Sequence, residues 1–348
     1  MPDPTTTTTT APAVGAQVAF DPATVVPVIA VANRAPSIHN TQPWLWQLRP
    51  FQLSLRADRD RQLRVADPDG HSLMISCGAA LALTELGLRT LGHEVTTTRL
   101  PDPGDPDLLA EFRLGPAAPV TARDRERYAA AQRRQSDRRP FPSADVQPET
   151  VETLRAAADG SGVHADFPMR DEQRVDLAVA VSWADRTEAR DPEYLAELNR
   201  WLRDSDVHGD GVPAGAIPHV PPGPGRHTDV PLRDFEIGVP GGLLIERDVD
   251  ERPLIAVLLT DSDTADEQLR VGEAMMRLML EAELLGLGSC PLSQAVDLVA
   301  FRNRVRTLMG WQGLPQMMVR IGHPTSGSAQ PTRTPRRPVA DVLDVLPD

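Results

Sequence analysis

The chain contains no lysine. All 36 of its basic residues are arginine, roughly one residue in ten, so an isolated arginine pair says little about function. Cysteine is nearly absent as well: Cys77 and Cys290 stand far apart without a Cys-x-x-Cys spacing. That excludes a disulfide framework and a structural zinc site, and it predicts a reducing compartment. No apolar run approaches the roughly 18 residues needed to cross a bilayer, so no membrane partner is expected. Basic charge is in deficit, with 49 acidic residues against 36 basic ones and a net charge of -13. Nucleic acid and anionic membranes are therefore poor partners. Also missing are a Ser-His-Asp order, a Walker loop, a Gly-x-Gly-x-x-Gly run and a metal-binding histidine pair, and no metal is expected.

What remains is long enough, at 348 residues, for about two domains with a sizeable core. Residues 1–20 read as a disordered leader. Their first ten are rich in proline and threonine and lack the basic and apolar regions of a signal peptide, which points to a cytoplasmic protein.

The most informative run is Ala35-Pro36-Ser37-Ile38-His39-Asn40-Thr41-Gln42-Pro43-Trp44. A Pro-Ser start followed three residues later by an amide makes a rigid turn that aims a hydroxyl and a carboxamide the same way, as the polar edge of a flat heterocycle requires. Trp44 and Trp46 read as core anchors. Ala35-Pro36-Ser37, Asn40 and Gln42-Pro43-Trp44 resemble the FMN-contacting segment of the nitroreductase family. The surrounding chain is similar to its two-domain, single-chain Acg-type branch.

An internal correspondence organises the rest. Gly78 to Gly92 aligns without gaps on Gly272 to Gly286, and both segments predict long helices closed by glycine. In the second, Glu273, Arg277 and Glu281 recur every four residues as a polar stripe. Short strands end alike at Phe112–Pro116 and Val319–Pro324. Earlier strands are expected over Gln52–Arg56, by alternation, and over Leu254–Thr260, a continuous apolar run. The resemblance then implies an α+β fold of two nitroreductase-like halves, a pseudo-dimer. Each half has an antiparallel-rich sheet, flanking helices and one long central helix. The boundaries fall at 21–125 and 126–348.

Nitroreductases are usually homodimers with FMN at the interface, and the resemblance implies that one such site is assembled here between the halves. The turn supplies Pro36, Ser37, Ile38 and Asn40. Arg134-Gln135-Ser136-Asp137-Arg138 supplies a phosphate grip through Arg134, Gln135, Ser136 and Arg138, since a phosphate with close to two negative charges needs bidentate cations and a hydroxyl. Arg138 can instead lie at the pyrimidine side of the flavin, where positive charge favours the reduced anion. Leu287 to Gln294 resembles the flavin-flanking loop and contributes Pro291, Leu292 and Ser293. Many nitroreductases carry an acidic residue and a glycine near the reactive edge, whereas Ser293 and Gln294 occupy the matching positions. Arg333, Arg336 and Arg337, on an extended arm over 325–348, match further phosphate contacts.

Residues 200–240 are rich in proline and glycine and read as a lid-like insertion; their histidines, His208, His219 and His227, lack metal-ligand spacing. The implied function is an FMN-dependent oxidoreductase that takes electrons from NAD(P)H or a dedicated substrate and passes them to a small organic acceptor. The alternative is a non-catalytic protein that sequesters FMN beneath its lid. Either a monomer or a homodimer is compatible with the sequence.

Overall fold

The computed structural model describes residues 17–142, 146–203, 209–219, 230, 232–233, 235, 241–245, 251–324 and 332–347. Helix α1 (Pro22–Ala32) opens on Asp21, whose side chain accepts from the Ala23 amide, with proline in the first turn. Strands β1 (Trp44–Arg49) and β2 (Gln52–Ala57) form a hairpin, and helix α2 (His71–Arg89), strands β3 (His93–Arg99) and β4 (Leu108–Ala117), and helix α3 (Ala122–Arg133) follow. Next come α4 (Pro148–Ala158), β5 (Val163–Asp166), α5 (Asp171–Glu188) and α6 (Pro192–Trp201). Four two-residue strands occupy the insertion: β6 (Leu202–Arg203), β7 (Val212–Pro213), β8 (Pro218–His219) and β9 (Leu243–Leu244). The remainder is β10 (Leu254–Thr260), α7 (Ala265–Leu284), β11 (Gly288–Leu292), α8 (Gln294–Asp297), α9 (Val299–Met309), β12 (Leu314–Gly322) and β13 (Leu343–Val345).

The fold is α+β with antiparallel-rich sheets. One sheet has the order β13-β1-β2-β4-β3 and the other β11-β12-β10-β5. Every pairing in them is antiparallel except that of β13, which lies parallel to β1 with Trp46 opposite Leu343. The end of the chain thus completes the sheet that its beginning started.

Between the sheets, α2 and α7 pack against each other at Gly78 and Gly272, the two glycines that the sequence alignment superposes. A Cβ on Gly78 would stand 2.1 Å from the Leu269 carbonyl oxygen, so only glycine lets the backbones approach this closely. A single hydrophobic cluster runs through the contact, from Trp44 and Trp46 across Ile75 and Met275 to Val319. The Trp44 indole donates to Asn33 Oδ1 at 2.8 Å and that of Trp46 to Thr84 Oγ1 at 3.1 Å, so neither buried N–H is left unpaired.

Three expectations need correction. Helix α2 is long and apolar enough, by length and composition, to cross a membrane; 83% of that window is nevertheless buried inside the protein, as befits a core helix. The stripe of Glu273, Arg277 and Glu281 pairs mainly across elements rather than along its own helix, where Arg277 reaches Glu273 at 4.0 Å. Glu273 is buried and takes a bidentate pair from Arg99 of β3, at 2.6 and 2.7 Å, while Glu281 is buried and pairs with Arg123 and Arg127 of α3. Residues 287–294 are mostly strand and not loop: β11 pairs with β12, placing Cys290 opposite Arg320, and α8 follows immediately.

Candidate functional site

The backbone of the Pro36–Pro43 turn is unusual. His39, Asn40 and Gln42 have φ of 46°, 56° and 50°, a left-handed conformation that Asn and His tolerate better than most residues. Ser37 locks the turn by accepting from the Gln42 amide at 3.0 Å, and Ser76 of α2 accepts from the Ile38 amide at 3.3 Å. The result is a wall made by Pro36, Ser37, Ile38 and His39.

That wall faces a cleft. Its other sides come from distant segments: Ser136 and Arg138 beyond α3, and Pro291, Leu292, Ser293 and Gln294 at the end of β11. The floor is Ile75 of α2 and Met275 of α7, beside the glycine crossing. Ser136 is held in place by a bridge to Ser289, with the Asp137 amide donating to the Ser289 carbonyl at 2.9 Å. The cleft combines apolar surface with a few convergent polar groups, as small-molecule sites do.

Behind the turn lies a cluster of cations. Arg134 is buried and donates through Nη2 to the Arg34 carbonyl at 2.8 Å; Arg336 donates to the same carbonyl at 3.1 Å and to that of Ala35 at 3.4 Å. Among the described residues no carboxylate pairs with Arg34, Arg134 or Arg336, and Nε of all three, together with Nη1 of Arg134, has no hydrogen-bond partner. Burial and the neighbouring Arg34 lower the Arg134 pKa to about 10; burial with Arg134 and Arg34 lowers that of Arg336 to about 9. Among the described residues these three guanidinium groups crowd together without an ion pair, which concentrates positive charge behind the turn.

Other residues named from the sequence lie elsewhere. Asn40 does not face the cleft: its amide donates to the carbonyls of Gly211 at 2.9 Å and Pro335 at 3.0 Å, and its Oδ1 accepts from Arg336 at 3.0 Å. Gln42 likewise donates to the Gly209 carbonyl and accepts from the Arg337 amide, both at 2.9 Å. The two motif amides therefore clasp the insertion and the C-terminal arm. Arg337 turns to Asp58 at 3.3 Å, and Arg333 is exposed. Gln135 lines a separate groove with Arg133 and Asp137.

The described parts of the insertion are packed. Val212, Ile217 and Phe235 join Tyr194 and Leu198 in a small core, and Leu232, Arg233 and Phe235 wall the cleft. Arg233 is fixed there by Asp297 at 2.9 Å and Glu188 at 3.1 Å. Pro221, Pro222, Pro224, Pro231, His208 and His227 fall outside the described residues, as do 325–331 of the arm and 1–16 of the leader. Among the described residues no cluster of His, Cys, Asp or Glu could hold a metal.

The sequence placed Gln294 near the reactive edge but gave no site role to Arg34, His39 or Arg233. Arg34 adjoins the motif and His39 lies within it, so adjacency could have found both; Arg233 carries no local signal, because only folding brings it to the cleft.

The Pro-Ser turn, the Ser136 and Arg138 side chains and the end of β11 thus converge on one cleft, and Arg34, Arg134 and Arg336 cluster behind the turn. The Nitroreductase family profile matches residues 242–323. A Mycobacterium tuberculosis protein named "Putative NAD(P)H nitroreductase Rv3131" is 35% identical over 331 residues, covering 93% of this chain and 92% of that one. "Putative NAD(P)H nitroreductase acg" of the same organism is 31% identical over 318 residues, covering 91% and 94%. Among solved structures, a nitroreductase with bound FMN from Bacteroides fragilis is 12% identical and covers 60% of this chain and 94% of its own, with a TM-score of 0.38. The chain belongs to the nitroreductase family, as the resemblance of its motifs implied.

Proposed function

We propose that the protein is an FMN-dependent oxidoreductase that binds one FMN per chain in the cleft and exchanges electrons between NAD(P)H, or a dedicated donor, and a small organic acceptor. The observation that carries this reading is the convergence of Ser37, Ser136, Arg138 and Pro291–Ser293 on one cleft, with the uncompensated Arg34, Arg134 and Arg336 directly behind the turn. Nitroreductase naming of the relatives and the FMN in the B. fragilis structure point the same way.

The residues fit the cofactor. The unpartnered N–H groups of the three arginines would hold the phosphate, and Ser37, Ser136 and Arg138 would face the ring. Bound FMN supplies the two-electron chemistry. This chain's residues orient it: Arg138 places a cation at the cleft, and Leu232 and Phe235 keep water from one side.

The meeting of Gly78 with Gly272 supports a duplicated origin, since equivalent positions touch each other across a two-fold interface. Each half then contributes part of one site, and a monomer suffices to complete it. FMN titration tests the reading. One equivalent per chain is expected, and Arg134→Met should weaken retention at least tenfold. Two equivalents, or none, would end it. Anaerobic NADH or NADPH should then bleach the bound flavin; bound flavin that resists both favours sequestration or a specialised donor, for which the Ser293-Gln294 pair in place of an acidic residue and glycine is the supporting feature.

A further inference from the structure

His39 is the cleft side chain that the flavin reading leaves without a task. It is only 6% exposed and lines the cleft, yet among the described residues neither Nδ1 nor Nε2 has a hydrogen-bond partner. An unpaired buried polar group is destabilising, and a left-handed non-glycine backbone adds to that cost. Burial, with Arg233 and Arg138 nearby, holds the pKa well below the ordinary histidine value. The ring is therefore neutral, with one N–H to donate and one bare nitrogen to accept.

The charges around it are already engaged. Arg233 is bound to Asp297, Glu188 and the Tyr194 hydroxyl. Arg138 lies 5.2 Å over the Phe235 ring and, in the reading above, serves the flavin. What is left at this corner is an aromatic face and a neutral donor: His39 meets Phe235 edge to face, with ring centres 5.9 Å apart at 81°. The corner lies on the insertion side, whereas the arginine cluster anchors the phosphate behind Ala35.

We propose that His39 and Phe235 form the subsite for the second small molecule of the reaction, a planar uncharged compound carrying a carboxamide or ketone oxygen. The His39 N–H bonds that oxygen and Phe235 lies against the ring. The inference rests on the flavin reading, and it assigns to His39 a specificity role distinct from cofactor retention.

Benzamide, with benzoate as its charged counterpart, serves as the probe. Both are titrated into FMN-loaded protein and followed by perturbation of the flavin spectrum, alongside nitrogen NMR of the histidine rings. His39→Phe removes both nitrogens. His39→Asn suits the left-handed backbone but is too short to reach, so it keeps the test alive if the first variant folds poorly. Benzamide should bind at least tenfold more weakly to both variants while FMN affinity is unchanged. The His39 ring signals should move on benzamide addition while those of His71, already paired with Gln316 at 2.6 Å, stay put. Unchanged benzamide binding in His39→Asn, a parallel loss of FMN, or benzoate binding tenfold tighter than benzamide would overturn this assignment. Wild-type protein that holds FMN but ignores benzamide overturns it alone. Wild-type protein that holds no FMN overturns both readings.

Discussion

A Cβ placed on Gly272 would stand 2.7 Å from the Cα of Gly78 and 2.0 Å from the carbonyl oxygen of Ile75. Neither obstacle can rotate away, because both are backbone. Gly272→Ala should therefore force α2 and α7 apart and cost about 3 kcal/mol, at the upper end of what overpacking usually costs. Thermal unfolding measures the loss. Because Ile75 and Met275 floor the cleft next to the crossing, FMN affinity should fall with it.

Arg134 offers a prediction of opposite signs. Its guanidinium is buried and, among the described residues, forms no ion pair, with Glu283 acting on it only from beyond ion-pair distance. Arg134→Met keeps much of the volume and removes the charge. Unliganded protein should be at least as stable to denaturant as the wild type, while the stabilisation gained on adding FMN should shrink by about 1.4 kcal/mol or more, the equivalent of a tenfold loss in affinity.

Asp67 sets a pH dependence. It accepts from the amides of Ser72 at 2.9 Å and Leu73 at 2.8 Å, but burial, aided by the Asp297 charge, outweighs these bonds and raises its pKa to about 7. The folded state thus keeps a proton that the unfolded chain loses near pH 4, so this group's contribution to stability falls as pH rises from about 4 to 7 and is constant above. The slope is about 1.4 kcal/mol per pH unit across that window. Asp67→Asn stays neutral but can accept only one of the two amides, so it should lose stability at pH 4 yet show no fall between pH 4 and 7 where the wild type does, in denaturant titrations.

Asn40→Gly keeps the left-handed backbone and deletes the clasp on Gly211 and Pro335. Loss of these buried bonds should cost about 1–3 kcal/mol locally. Hydrogen exchange should quicken over 209–219 and 332–338 while β10 and β12 stay protected, a pattern that a general loss of stability would not give.

Local pattern made much of this legible. The continuous apolar run Leu254–Thr260 became a fully buried strand with those same limits, because six apolar side chains in a row favour burial and the Thr260 hydroxyl at its end finds partners in Ser262 and Gln316. The Pro36-Ser37 start did make a turn on a cleft. Reading failed where a residue's role depended on what folds against it. Asn40 looked like a ligand contact because its amide is suited to one, yet the insertion and the arm reach that amide first. Glu273 and Glu281 read from their spacing as a polar stripe along one helix, but β3 and α3 bring arginines to both.

The sequence by itself determined the family, the two long glycine-marked helices and the segments from which a flavin site would be assembled, because periodicity, turn chemistry and motif order are properties of neighbouring residues. Only the tertiary structure decided that Arg134 and Arg336 share the Arg34 carbonyl with no ion pair among the described residues, that β13 returns to pair with β1, and that His39 and not Asn40 faces the cleft. Those outcomes turn on contacts between segments a hundred or more residues apart, where burial and electrostatics select among side chains that look equivalent in one dimension.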